Sequence, residues 1–186
     1  MPFLKSDFFS RDAITVAKDL IGTHLVVGQC EARIVETEAY TTDAASHAVT
    51  RRHQSVIMQE TFGYVYVYFI YGMYYCLNFT ADKDGPGAVL IRAAEPLAGV
   101  DLMRARRKVS GIHQLASGPG RLCQALGIDL RLNHTRIGAQ IKVKARAVEP
   151  LISTSARVGI SQATDLHWRF FEKSNSFVSG RRNGNV

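Results

Sequence analysis

The window YVYVYFIYGMYYCLNF, residues 64–79, constrains this chain more than any other stretch. Six of the seven tyrosines fall inside it: Tyr64, Tyr66, Tyr68, Tyr71, Tyr74 and Tyr75. A buried core favours Leu, Ile and Val, because a tyrosine hydroxyl that leaves water must find a partner. Rings with polar tips suit a surface that stacks on flat ligands. Strands favour Tyr and Phe in any case, so a two-stranded ribbon on a half-buried face is the plainer alternative. Alternation puts Tyr64, Tyr66, Tyr68 and Ile70 on one face and Val65, Val67, Phe69 and Tyr71 on the other, which is the period of a strand. Gly72 breaks the run. Tyr71-Gly72-Met73-Tyr74 therefore reads as a hairpin turn with Tyr71 near its tip, and residues 75–80 as the returning strand.

The rest of the chain has to support that ribbon. With 186 residues it is long enough for one domain, 1–186, whose core needs no metal or disulfide staple. The formal charge of +7 and a pI near 9.5 point to an anionic partner and are silent on fold. Cys30, Cys76 and Cys123 are odd in number and contain no CxxC pair, so they read as buried thiols in a reducing compartment. No run approaches 18 apolar residues and the N-terminus carries no long apolar segment. The expectation is a monomer in the cytoplasm or on the nucleoid, without membrane attachment.

Taken in order, Ser10 reads as an N-cap and Ala13, Val16, Ala17, Leu20 and Ile21 as the buried stripe of a helix stopped by Gly22. Residues 24–27 and 31–40 read as strands joined near Gly28. In EARIVETEAY the alternation places Ala32, Ile34, Glu36, Glu38 and Tyr40 on one face. A carboxylate among apolar and aromatic neighbours is partly desolvated, which raises its proton affinity towards that of a general base. Alternate residues lie about 6.6 Å apart, so one glutamate can act on water while the other is structural. An exposed edge strand with two solvated glutamates is the competing reading. Residues 41–58 read as a loop with one helical turn, in which His47 has no second His or Cys at metal spacing.

Residues 88–91 form an apolar run, a strand buried on both faces, closed by Arg92. That arginine meets either a carboxylate such as Glu36 or Glu38, or a phosphate. Glu95-Pro96 is expected to open a helix over 97–109. Ser117-Gly118-Pro119-Gly120-Arg121 leads into another that ends at Gly127, and such an entry can hold a phosphate on exposed N–H groups. It lacks a Walker ending. Further strands are expected at 141–148, 156–160 and 168–171, and the polar tail from about 180 should be mobile. The fold class is α+β: a mixed, curved, largely antiparallel sheet flanked by helices, with a protruding β-hairpin.

Two classes of function suit these features. One is a non-catalytic aromatic nucleic-acid-binding module; Phe62-Gly63-Tyr64-Val65 partly matches an RNA-recognition strand, but Glu60 and Thr61 replace its basic residue and glycine. The other is an enzyme acting on a base in duplex DNA. It needs a wedge to replace the extruded nucleotide, aromatic walls, a carboxylate to activate water, and basic residues along the phosphates. All four are present.

Five blocks in order, IVETEAY (34–40), Ser46-His47-Ala48, YVYFIYGMYYCLN (66–78), LIRAAEP (90–96) and SGPGRLCQALGI (117–128), resemble the alkyladenine (3-methyladenine, or methylpurine) DNA glycosylase family. The resemblance implies an enzyme that hydrolyses the N-glycosidic bond of flipped alkylated or deaminated purines in double-stranded DNA. It implies Glu38 as the base that activates water and Tyr71 as the intercalating wedge. Tyr40 and Tyr68 would sandwich the extruded base, with His47 at its edge and Asn78 discouraging guanine. Arg92 would stand near the water and the adjacent phosphate, and Glu36 would support it. No cofactor or metal is implied, and with no lysine in a nucleophile's place the product is an abasic site in an uncut strand. The chain departs from the family pattern at Gln54-Ser55, Met58-Gln59 and Phe62-Gly63, which moves one backbone-positioning role onto Arg51 or Arg52.

Overall fold

The computed structural model describes residues 1–51, 53 and 55–180; Arg52, Gln54 and the tail 181–186 lie outside the described residues. Its strands are β1 (His24–Val27), β2 (Cys30–Tyr40), β3 (Val65–Ile70), β4 (Tyr74–Ala81), β5 (Gly87–Ala98), β6 (Ile141–Lys144), β7 (Ile152–Ser155) and β8 (Arg169–Glu172). Among the described residues the α-helices are α1 (Ser6–Phe9), α2 (Ala13–Asp19), α3 (His47–Thr50), α4 (Val56–Glu60), α5 (Val100–Arg107) and α6 (Pro119–Leu126). All strand pairs are antiparallel, in the order β3-β4-β5-β2-β1-β6. One edge of β2 is shared: β1 pairs with its first residues, and β8, itself paired with β7, takes Glu36 to Glu38. The fold is α+β.

The main core lies on one face of the sheet. There α2, α5 and α6 bury Val16, Ala17, Met103, Leu122 and Leu126 against Ile34, Val65, Val67, Leu77, Phe79, Val89 and Ile91. Fully burying a side chain of this kind contributes about 1.5–3 kcal/mol, so this face sets the register of every strand. The opposite face of the hairpin carries Tyr66, packed with Ala48, Ile57, Met58 and Ala88 and flanked by Tyr40, Tyr64 and Tyr68. The alternation read in the ribbon therefore sorts valines to the core and tyrosines away from it.

Several expectations need correction. Asp12, not Ser10, caps α2, accepting from the Thr15 amide; Ser10 ends α1. The 41–58 stretch holds α3 and the start of α4, which runs on to Glu60. Glu95-Pro96 opens no helix: β5 runs through to Ala98 and α5 begins at Val100. A proline survives there because β4 pairs with β5 only up to Leu90. Beyond it, the Ala94 amide turns away from β2 to reach the Ala116 carbonyl, and Pro96, two residues on, faces the same open edge. Arg92 is thus mid-strand. The strand expected at 156–160 lies earlier, at β7, and β6 stops at Lys144.

The correction that matters most is in β2. Ala32 and Ile34 point into the main core, whereas Glu36, Glu38 and Tyr40 do not. Register shifts on either side of Glu36 leave Val35 in β2 and Arg92 in β5 without a direct opposite. The extra residue Val35 reverses the parity of β2, and the extra residue Arg92 that of β5. Thr37 and Ala39 thereby take the core face, Thr37 Oγ1 donating to the Ala17 carbonyl on α2, while both glutamates are aimed at the other side. A bulge that re-aims side chains beside a cavity is a recurrent device of sheets.

Candidate active site

Glu38 is wholly buried. Its Oε2 accepts from the Tyr40 hydroxyl at 2.8 Å and from Arg92 Nη1 at 3.3 Å, and its Oε1 accepts from the Val158 amide at 2.7 Å. Glu36, equally buried, accepts from Arg92 Nε at 3.0 Å, Arg169 Nε at 2.7 Å, the Ser179 hydroxyl at 2.9 Å and the Ser179 amide at 2.6 Å. Two carboxylates and two guanidiniums form a buried set whose formal charges cancel, the condition under which ions persist away from water. Burial alone would lower the Arg92 pKa, but the charges of Glu38 and Glu36 raise it. Burial, then the Glu38 charge, pushes the Tyr40 phenol well above its ordinary value, so Tyr40 stays protonated and donates. Of the alternatives open to Arg92, its guanidinium takes the carboxylates.

Tyr40, Arg92 and Val158, all partners of Glu38, line a cavity of about 860 Å³ with His47, Tyr66, Tyr68, Tyr71, Asn78 and Leu90. The volume is in the range of small-molecule pockets. His47 enters as the first residue of α3, after Ser46 caps the Ala48 amide. Its Nδ1 lies 3.0 Å from the Tyr66 hydroxyl and its ring 4.5 Å from the Tyr68 ring, edge-on. Burial, then Arg51, lowers its pKa to about 4, so the imidazole is neutral at pH 7. Burial also raises the Tyr68 and Tyr66 phenols, the latter to about 12. Asn78 is fixed by its Nδ2, which donates to the Tyr66 carbonyl at 3.1 Å.

The ring of Tyr40 is held from behind. The Arg157 guanidinium sits 4.7 Å over it and 5.2 Å from the Trp168 ring, donates to the Ala39 carbonyl at 2.9 Å and binds both oxygens of Asp43. At the mouth, Tyr71 is 76 % exposed with φ +55°, followed by Gly72 at +66°. Tyr74 packs on α6 so closely that a Cβ at Gly120 would meet its ring at 2.9 Å. Arg51, Arg107, Arg121 and the N-terminal turn of α6 complete the rim.

The model of methylpurine-DNA glycosylase matches residues 7–176. The chain belongs to the methylpurine-DNA glycosylase family. It is thereby a DNA glycosylase, a hydrolase of N-glycosyl bonds. Among curated relatives it is 41 % identical over 202 residues to a protein of Methanocella arvoryzae, covering 100 % of both chains. It is 44 % identical to one of Rhizobium etli, covering 92 % of this chain and 86 % of that one. A protein of Methanoculleus marisnigri is 43 % identical, over 96 % and 99 %. All three are named as 3-methyladenine DNA glycosylases.

In this glycosylase the residues singled out in the sequence, Glu38, Tyr40, His47, Tyr68, Tyr71, Asn78 and Arg92, gather at one cavity, with Glu38 directly behind its lining. Sequence reasoning missed the Val158 amide, Arg157, Arg169 and Ser179. A backbone donor leaves no mark on residue type. Arg157 and Arg169 carry no periodic signal, and only their ion pairs with the buried carboxylates of Asp43 and Glu36 separate them from surface arginines. Among the described residues no helix is long and apolar enough to cross a membrane.

Proposed function

We propose that the protein is a base-excision repair enzyme that hydrolyses the N-glycosidic bond of alkylated or deaminated purines, of the 3-methyladenine, 7-methylguanine, hypoxanthine and ethenoadenine class, turned out of duplex DNA. It acts as a single-domain monomer, in the cytoplasm or on the nucleoid. The observation that carries this reading is a wholly buried carboxylate, Glu38, wired to three residues that line a tyrosine-walled cavity.

The extruded base enters between Tyr40 and Tyr68, with His47 at its edge and Asn78 opposing a guanine amino group, while Tyr71 fills the gap left in the stack. As the bond breaks, positive charge builds on the sugar. The electron pair leaves with the purine, water oxygen bonds to C1′, and the water proton passes to Glu38, whose charge also stabilises the sugar cation. Arg92 keeps the carboxylate oriented. An alkylated purine already carries positive charge and leaves as a neutral base. Among the described residues the cavity is lined by arginines and no lysine, in keeping with an abasic product and an intact strand. A non-catalytic stacking module accounts for the tyrosines but gives no use to a buried carboxylate whose three partners all line the cavity.

The test is incubation with methylated duplex DNA. Free purine should appear in equal number with alkali-labile sites, and no strand should break before alkali. Duplex binding without purine release would favour the stacking module. Affinity should fall with salt at a log–log slope of about −0.9 per phosphate neutralised.

A further inference from the structure

The polar cluster behind Glu38 is closed by a segment lying beyond the span matched by the family model, which ends at residue 176. Phe177 and Val178 are buried against Val35 and Ala93, at the paired bulges that aim Glu36 and Arg92. Ser179 then takes three places in one network. Its amide and hydroxyl both donate to Glu36, its hydroxyl accepts from Arg92 Nη2 at 3.4 Å, and its carbonyl accepts from Arg169 Nη2 at 3.4 Å. Arg92 is therefore gripped at three nitrogens: Nε by Glu36, Nη2 by Ser179 and Nη1 by Glu38. A planar guanidinium held at two corners can rotate about the line between them; the third contact removes that freedom.

We propose that residues 177–179 are a positioning strap, in which Ser179, with Glu36, fixes the plane of the Arg92 guanidinium so that Nη1 faces Glu38. This rests on the reading of Glu38 as the water-activating group. Ser179 is a positioning residue, because it is absent from the cavity lining and acts through Arg92, which is part of it. Its hydroxyl also completes the set of donors around Glu36, whose remaining partners are both arginines and a backbone amide.

The experiment is single-turnover excision from a methylated duplex at saturating enzyme, with duplex affinity and active fraction measured alongside. Ser179→Ala should lower the excision rate constant about tenfold, the scale expected when a catalytic group loses its orientation. Duplex affinity and active fraction should stay unchanged, and Ser179→Thr, which keeps the hydroxyl, should restore the rate to within about twofold. A merely structural role would lower the active fraction and leave the rate constant alone. In an Arg92→Lys background Ser179→Ala should add less than about twofold, since the two act through one contact. An unchanged Ser179→Ala rate in an active enzyme, or full additivity with Arg92→Lys, overturns the strap and leaves Glu38 untouched. An unaltered protein that frees no purine removes the reading of the site and the strap with it.

Discussion

At the inner end of the cavity Glu38 is enclosed by three donors; of these, Arg92 is itself fixed by Glu36 and Ser179, and Tyr40 is backed by Arg157, which Asp43 and Trp168 hold. At the hairpin tip Tyr71 stands 76 % exposed, in the left-handed region that a bulky residue seldom adopts. The inner wall is over-determined: each group is held by several others, and the paired bulges that aim it are packed on both sides. The tip is held by one short turn and no core. Groups that must meet a reacting atom within fractions of an ångström belong on the first kind of support. The wedge role proposed for Tyr71 suits the second, where strain is stored without threatening the core.

That contrast can be broken at either end. The largest effect is expected at the inner wall: Glu38→Gln should lower excision by about 10³-fold or more while leaving duplex affinity intact. Turnover within tenfold of normal would remove Glu38 from the chemistry. Next, Asp43→Ala strands the Arg157 guanidinium, which is fully buried, and should lower unfolding free energy in denaturant titration by about 3–5 kcal/mol. A loss under about 1 kcal/mol would show that the inner wall is no stiffer than a surface pair.

At the tip, Tyr71→Ser removes stacking worth about 1–3 kcal/mol, so affinity for damaged duplex should drop about ten- to hundredfold with the melting temperature unchanged. A variant that unfolds would make Tyr71 a packing residue. The smallest effect concerns His47. Its folded pKa of about 4 lies below the ordinary 6.5, so the unfolded chain binds the extra proton and the native state loses stability as pH falls from 6.5 towards 4. His47→Gln lacks this loss, and its melting temperature should gain on that of the unaltered protein across the same window. A constant gap would show that His47 is free to protonate in the fold.

How far the molecule is legible in its sequence follows the same division. The hairpin is readable because one face alternates valines and the other tyrosines, and β1 and β2 because Gly28 marks their turn. Parity within β2 is not readable, since a bulge at Val35 reverses it before Glu36 and no residue type announces it. Pro96 misleads because its neighbours along the chain do not reveal an unpaired edge. In the site, the side chains with distinctive chemistry are visible as motifs. The Val158 amide and the Ser179 clasp arise from chain crossings more than a hundred residues from the glutamates they hold, and only the assembled sheet brings them there.

The most direct measurement is the structure of the Glu38→Gln protein bound to a duplex carrying one methylated purine. The damaged base should lie outside the helix between the Tyr40 and Tyr68 rings, with Tyr71 in its former place and the sugar C1′ facing residue 38. A base still stacked in the duplex, with the cavity open to solvent and residue 38 far from the sugar, would contradict the account.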